Sequence, residues 1–127
     1  MKTIRKRYLI KAPVVKVWQA LINPNVIEKW GGGPAKMSEK TGEEFSLWGG
    51  EVHGKNIEVV VNKKLVQEWS SGNWPSPSIA TFVLTEKNGS TVLKLLHNKI
   101  PDGEAPDIDD VWDLYYLGEI KRLLENS

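Results

Sequence analysis

Few side chains in this sequence are equipped for bond-making chemistry. There are two histidines, His53 and His97, and no cysteine. The missing thiol removes disulfides, thiolate nucleophiles and thiolate metal sites together. His53, beside Gly54, has no carboxylate or second histidine at a metal-ligand spacing, so neither a metal nor another cofactor is expected. Gly31-Gly32-Gly33-Pro34 follows a helical segment and precedes a strand, the reverse of the context in which backbone amides cradle phosphate. There is no Gly-x-Ser-x-Gly elbow, and no pair of acids is singled out by spacing for acid and base roles. What remains is His97, the amide of Gln67, the carboxylates of Asp109 and Asp113, and six tryptophans. Indoles combine a large apolar area with one N–H donor and recur where apolar surface meets a ligand. This set suits recognition by shape and aromatic contact.

The elements that must position these residues follow from two periods. Thr3 to Ile10 alternates, with Ile4, Lys6, Tyr8 and Ile10 on one side and Arg5 and Arg7 on the other, which predicts a strand with one wet face. Pro13 then opens a helix whose stripe is Val14, Val17, Trp18, Leu21 and Ile22. Asn23-Pro24 ends it, and a second short helix presents Ile27 and Trp30 before the glycine run. From there the period changes to two. Segments near Lys36–Ser38, Glu44–Trp48, Glu51–Val61, Lys64–Ser70, Ser78–Glu86 and Ser90–Asn98 read as strands joined by short turns, which favours an antiparallel meander. After a loop rich in Pro, Gly and Asp, a helix of about 27 Å spans Ile108 to Glu125. It is the one element long enough to cover the apolar face of such a sheet. The expected fold is therefore α+β: a curved antiparallel sheet of about six to seven strands gripping a long C-terminal helix, with two short helices between the first two strands, in one domain over residues 1–127.

Projected at about 100° per residue, the last helix puts Trp112, Tyr116, Ile120 and Leu123 on one seam. Asp109 and Asp113 fall close to its aromatic half. They either serve the positive end of the helix or reach into a cavity mouth to orient a polar ligand group. Strict alternation gives Leu93, Leu95 and His97 one face of the last strand, so His97 continues an apolar row, as a satisfied structural group or as a site residue. Gln67 alternates with Leu65 and Trp69 and needs a partner or an opening. Trp18 is core; Trp30, Trp69 and Trp112 either complete the core or line a cleft.

The charge balance is 17 basic against 16 acidic residues, a net charge of +1. That gives no global attraction to nucleic acid. No apolar run nears the roughly 20 residues of a membrane span, and no secretory leader is evident, so a cytoplasmic protein is expected. Basic residues gather between Lys2 and Lys16 and acidic ones between Asp102 and Asp113.

Ile10-Lys11-Ala12-Pro13 with Val17-Trp18-Gln19-Ala20-Leu21, Ile27-Glu28-Lys29-Trp30, Gly49 to Gly54, Lys64 to Trp69, Thr91 to His97, Ile100-Pro101 and Trp112 to Leu124 together resemble the activator of heat-shock-protein-90 ATPase homologue family, within the START and Bet v-like helix-grip superfamily. The resemblance covers nearly the whole chain. It implies a cavity between sheet and C-terminal helix, surrounded by Trp30, Trp69, His97, Trp112 and Tyr116. The separate N-terminal domain of the eukaryotic activators has no counterpart in these residues.

The leading expectation is a non-enzymatic domain that takes a hydrophobic or amphipathic small molecule into that cavity, with Trp30, Gln67, Trp69, Leu95, His97, Asp109, Trp112, Asp113, Tyr116 and Ile120 as its walls and polar contacts. A second is an interaction module of chaperone-cofactor type, its partner held by the two charge clusters. A third is a polyketide cyclase-like or hydrolase-like enzyme, which would need a buried carboxylate or histidine of displaced pKa.

Overall fold

The computed structural model describes residues 1–126; Ser127, the end of the expected domain, lies outside them. Six strands, β1 (Lys2–Ile10), β2 (Glu44–Leu47), β3 (Val52–Val60), β4 (Lys64–Ser71), β5 (Ser78–Lys87) and β6 (Ser90–Ile100), form one antiparallel sheet. Their order is β1-β6-β5-β4-β3-β2. The short turns after β2 leave each strand beside its predecessor. Helices α1 (Val14–Ile22) and α2 (Pro24–Trp30) carry the chain between the sheet's two edges. Lys36–Ser38, expected as a strand, makes only a single bridge, Lys36 with Ser46. Just beyond it the carbonyls of Ser38 and Lys40 accept from the side-chain amide of Asn56 instead of joining a ladder.

Alternation sends Leu65, Gln67 and Trp69 of β4, Ala80, Phe82 and Leu84 of β5, and Leu93, Leu95 and His97 of β6 to the same buried face. The register aligns them in rows: Leu65 with Phe82 and Phe82 with Leu95, Gln67 with Ala80 and Ala80 with His97. Side chains at such facing positions sit about 5 Å apart, so each row packs as a unit. Trp69 faces Ser78 in this register, which puts an indole and a hydroxyl side by side at the end of the sheet.

The C-terminal helical run covers that face in three pieces: α3 (Ala105–Asp110), a π-helical turn (Val111–Tyr116) and α4 (Leu117–Glu125). It begins earlier than the expected Ile108 because Pro106 lies in its first turn, where the missing N–H has no intrahelical partner to lose. The π turn is defined by the Leu117 N–H, which reaches back five residues to the Trp112 carbonyl. It resolves a problem of phase. Ile108, Trp112, Tyr116 and Ile120 are all buried, yet each lies four residues from the next. In a uniform α-helix that spacing would drift by about 120° over the three steps, whereas one surplus residue in a wider turn reduces the drift to about 20°.

The same turn explains Gly118, whose Cβ would lie 2.0 Å from the Asp113 carbonyl oxygen. The oxygen belongs to backbone and the Cβ position is fixed by it, so neither can swing aside. Gly118→Ala is expected to cost about 3 kcal/mol in urea unfolding, the upper end of ordinary overpacking. A loss below about 1 kcal/mol would mean that the turn reverts to α-geometry at little cost.

Candidate functional site

Five of the six tryptophans join one continuous cluster of rings. Trp74, in the loop after β4, lies 6.0 Å from Trp69; Trp69 stacks on Trp112 at 5.3 Å and 29°; Trp112 meets Tyr116 at 4.6 Å. Tyr116 meets Trp30 at 4.7 Å, and Trp48 stands edge-on to both. Phe82 closes the sheet side against Trp112. These rings occupy the space between sheet and helix by touching one another. Trp18 stands apart and donates from its indole to Glu39. Trp30, Trp69, Leu95, Trp112, Tyr116 and Ile120 are all buried there, as is His97 at the end of the ring cluster.

His97 is held at both nitrogens. The Trp112 indole donates to Nδ1 at 3.0 Å, so Nδ1 is the acceptor and Nε2 carries the proton. Nε2 then donates to Ser78 Oγ at 2.7 Å, and Ser78 donates onward to the Trp69 carbonyl at 2.5 Å. Trp69 and Trp112 also stand edge-on to the imidazole. Burial lowers the His97 pKa to about 3, because the cation would lose its hydration without gaining a carboxylate. The chain of donors runs from indole to imidazole to hydroxyl to backbone. A serine beside a histidine invites a nucleophile-and-base reading. Here the imidazole gives its proton toward Ser78, and its lone pair is already occupied by Trp112. The group is therefore a fixed polar strut between helix and sheet. Ser78 escaped the sequence reading because nothing around Pro77-Ser78 marks which residue will meet His97 across two strands.

Gln67 lies away from the strut. Its amide donates to Asn56 Oδ1 at 3.0 Å, with Met37 Sδ at 3.6 Å, and Asn56 in turn holds the 38–40 loop. The polar partner it needed is thus Asn56, itself buried on β3. Three polar atoms in the interior, Gln67 Oε1, Trp69 Nε1 and the Tyr116 hydroxyl, have no hydrogen-bond partner among the described residues. Burial also pushes the Tyr116 hydroxyl pKa up, so it remains neutral.

Asp109 and Asp113 do not reach this interior. Their side chains, 47% and 41% exposed, both bind Lys6 Nζ at 2.8 Å. Asp113 also accepts a short hydrogen bond from the Tyr8 hydroxyl. Burial alone would raise the Asp113 pKa, but the hydrogen bonds from Lys6 and Tyr8 outweigh it and hold the carboxyl below its usual range. Burial and the same carboxylate push Tyr8 in the opposite direction, upward. The inward face of β1 and the start of the C-terminal helical run are thereby clamped together. Part of the basic cluster is consequently spent on part of the acidic cluster. Lys6 and Tyr8 share the side of β1 that alternation assigned to them; only the fold shows that a carboxylate pair stands opposite.

A groove of about 270 Å³ opens beside the ring cluster, lined by Trp48, Glu51, Val52, Ser71, Ile108, Val111 and Tyr115. Leu114 and Tyr115, carried outward by the π turn, are more than half exposed next to it. Among the described residues no group of three or more His, Cys, Asp and Glu side chains could hold a metal ion, and no helix is long and apolar enough to cross a membrane.

The arrangement has close relatives. Two curated proteins that it resembles are the mouse activator of 90 kDa heat shock protein ATPase homolog 2, 27% identical over 119 residues, and the human homolog 1, 28% identical over 109 residues. These alignments take in 92% and 84% of this chain but only 36% and 32% of the relatives, so the chain spans about a third of their length. Among solved structures, an HSP90 activator from Plasmodium falciparum superposes with a TM-score of 0.92 at 24% identity, covering 98% of this chain and 97% of that one. This likeness establishes the helix-grip fold. The family model described as activator of Hsp90 ATPase homolog 1-like protein matches residues 11–125, and the chain belongs to that family.

Proposed function

We propose that this domain is a protein-interaction module of chaperone-cofactor type, acting on an ATPase of the 90 kDa heat-shock class. The observation that carries the reading is the family match over residues 11–125, with its mouse and human relatives named as activators of that ATPase. The interior supports it: the rings pack against one another, so recognition by this domain falls mainly to its surface. The experiment is a binding titration of the purified chain against such an ATPase at about 50 mM and about 300 mM salt, with ATP turnover followed in parallel. Binding that weakens with salt is expected, since the screening length for exposed charge falls from about 14 Å to about 6 Å across this range. Absence of binding at the lower salt would sink the reading.

A second reading, the small amphipathic ligand, has one observation in its favour. Gln67 Oε1, Trp69 Nε1 and the Tyr116 hydroxyl are buried without a partner among the described residues, and such atoms are costly unless something pairs with them. A ligand would have to part the rings to reach them. Tryptophan emission screened against lipids and aromatic compounds separates the two readings, because five indoles belong to the cluster. Emission indifferent to every compound would remove the ligand.

A further inference from the structure

We propose that the outer face of β1, β6 and β5 is a docking surface for an acidic polypeptide segment that carries aliphatic side chains between its carboxylates. The proposal rests on the interaction-module reading above and adds the place and the partner's chemistry.

An antiparallel sheet with one face packed on a core normally turns polar residues outward. Here the outward positions mix cations with aliphatic groups. Arg7 of β1 faces Lys94 of β6, and Lys94 faces Val83 of β5; one row along, Arg5 faces Leu96, and Leu96 faces Thr81. Arg5, Arg7 and Lys94 are exposed, and Val83 is 38% exposed. These six residues, together with Lys6 and Leu95, line a shallow groove of about 390 Å³.

The cations are uncommitted. Lys6, their neighbour on β1, is taken by Asp109 and Asp113 on the other side of the strand. None of Arg5, Arg7 and Lys94 has a carboxylate partner among the described residues. Three unpaired cations around a half-buried leucine and an exposed valine match a segment whose acids and aliphatic groups alternate. Arginine at the rim of an apolar patch is also a common composition for protein contacts.

The same face argues against a polyanion. Farther along it, Glu58 faces Val66, which faces Thr81, and Glu68 faces Ile79. Glu58 is paired with Lys64 at 3.5 Å and Glu68 faces Lys55, so the surface passes from unpaired cations to balanced charge within the width of the sheet. No aromatic side chain lines the groove to stack a base. A phosphate backbone or an anionic bilayer would run out of unpaired cations where a short acidic segment would end.

The test uses the full chain and a synthetic peptide of alternating glutamate and leucine at about 50 mM salt, read by backbone amide shifts. Shifts confined to β1, β5 and β6 are expected. The charge reversal Arg7→Glu with Lys94→Glu should weaken binding about tenfold, and Leu96→Ser should weaken it without changing the salt dependence. All three positions are on the outer face, and circular dichroism confirms that each variant is folded. Shifts elsewhere, unchanged affinity in the charge-reversed chain, equal binding of a lysine-leucine peptide, or tighter binding of an oligothymidylate or of phosphatidylserine vesicles would each overturn the proposal. The chaperone titration repeated with the charge-reversed chain separates the two readings. Peptide binding without chaperone binding removes the chaperone and leaves the surface. Chaperone binding that the reversal does not alter removes the surface and leaves the chaperone.

Discussion

Trp112→Ala should lower the unfolding free energy by about 4 to 5 kcal/mol, close to the whole stability of a weakly stable domain. Two losses combine. The indole is fully buried, and its removal leaves a void bordered by Trp69, Phe82 and Tyr116, which touch it on different sides. The substitution also deprives His97 Nδ1 of its donor, and a buried acceptor left unpaired costs about 1 to 3 kcal/mol. Leu114→Ala, two residues away but 58% exposed, should change stability by less than about 0.5 kcal/mol. Urea unfolding of both variants measures the contrast. A loss below about 2 kcal/mol for Trp112→Ala would mean that the rings are not closely packed, and would favour the small-ligand reading over the interaction module.

Acid should destabilise the domain through a single imidazole. His97 is held neutral in the folded state with its pKa near 3, whereas in the unfolded chain it takes a proton below about pH 6.5. Between these values the unfolded state binds the extra proton, so stability falls as pH falls, by about 1.4 kcal/mol per pH unit. Between pH 6.5 and pH 4 the loss is about 3 kcal/mol. The lowered Asp113 pKa acts in the same direction, but only below the ordinary carboxylate range. His97→Gln cannot titrate there, so its profile should be flatter over this interval even though its stability at neutral pH is lower. Urea midpoints at half-unit pH steps give both slopes. A wild-type profile that is level from pH 6.5 to 4 would show that water or a carboxylate reaches the imidazole, contrary to the strut geometry.

The architecture was legible because it depends on period. Alternation in β6 assigned Leu93, Leu95 and His97 to the core face, where they are buried, and the apolar stripe of α1 identified Val17, Trp18 and Leu21. The site was legible in membership more than in connection. Tyr116 and Trp112 could be placed on a seam, but the uniform helix used to place them carries no sign of a π turn, which depends on how the run packs against the sheet. Ser78 and His97 meet because β5 and β6 pair in one register, and Asp113 meets Tyr8 across a separation of 105 residues. Such contacts belong to three-dimensional register, and a single chain of letters does not list them. The two carboxylates illustrate the difference: local helix geometry left them between a cavity mouth and the helix dipole, and a lysine on a distant strand decided the matter.

The π turn carries a consequence for how the surface can be altered. Between Trp112 and Ile120 the chain holds one residue more than an α-helix would need to keep the same seam, and the turn sends Leu114 and Tyr115 outward. Deleting Leu114 would shorten the Trp112–Tyr116 step from four residues to three and bring the remaining buried positions back onto a plain α-helical seam. Subtraction here would edit the exterior while leaving the aromatic interior in phase, whereas adding a residue would rotate Ile120 out of it. The helix thus contains a spare unit of length, displayed beside the groove at Trp48 and dispensable to the core.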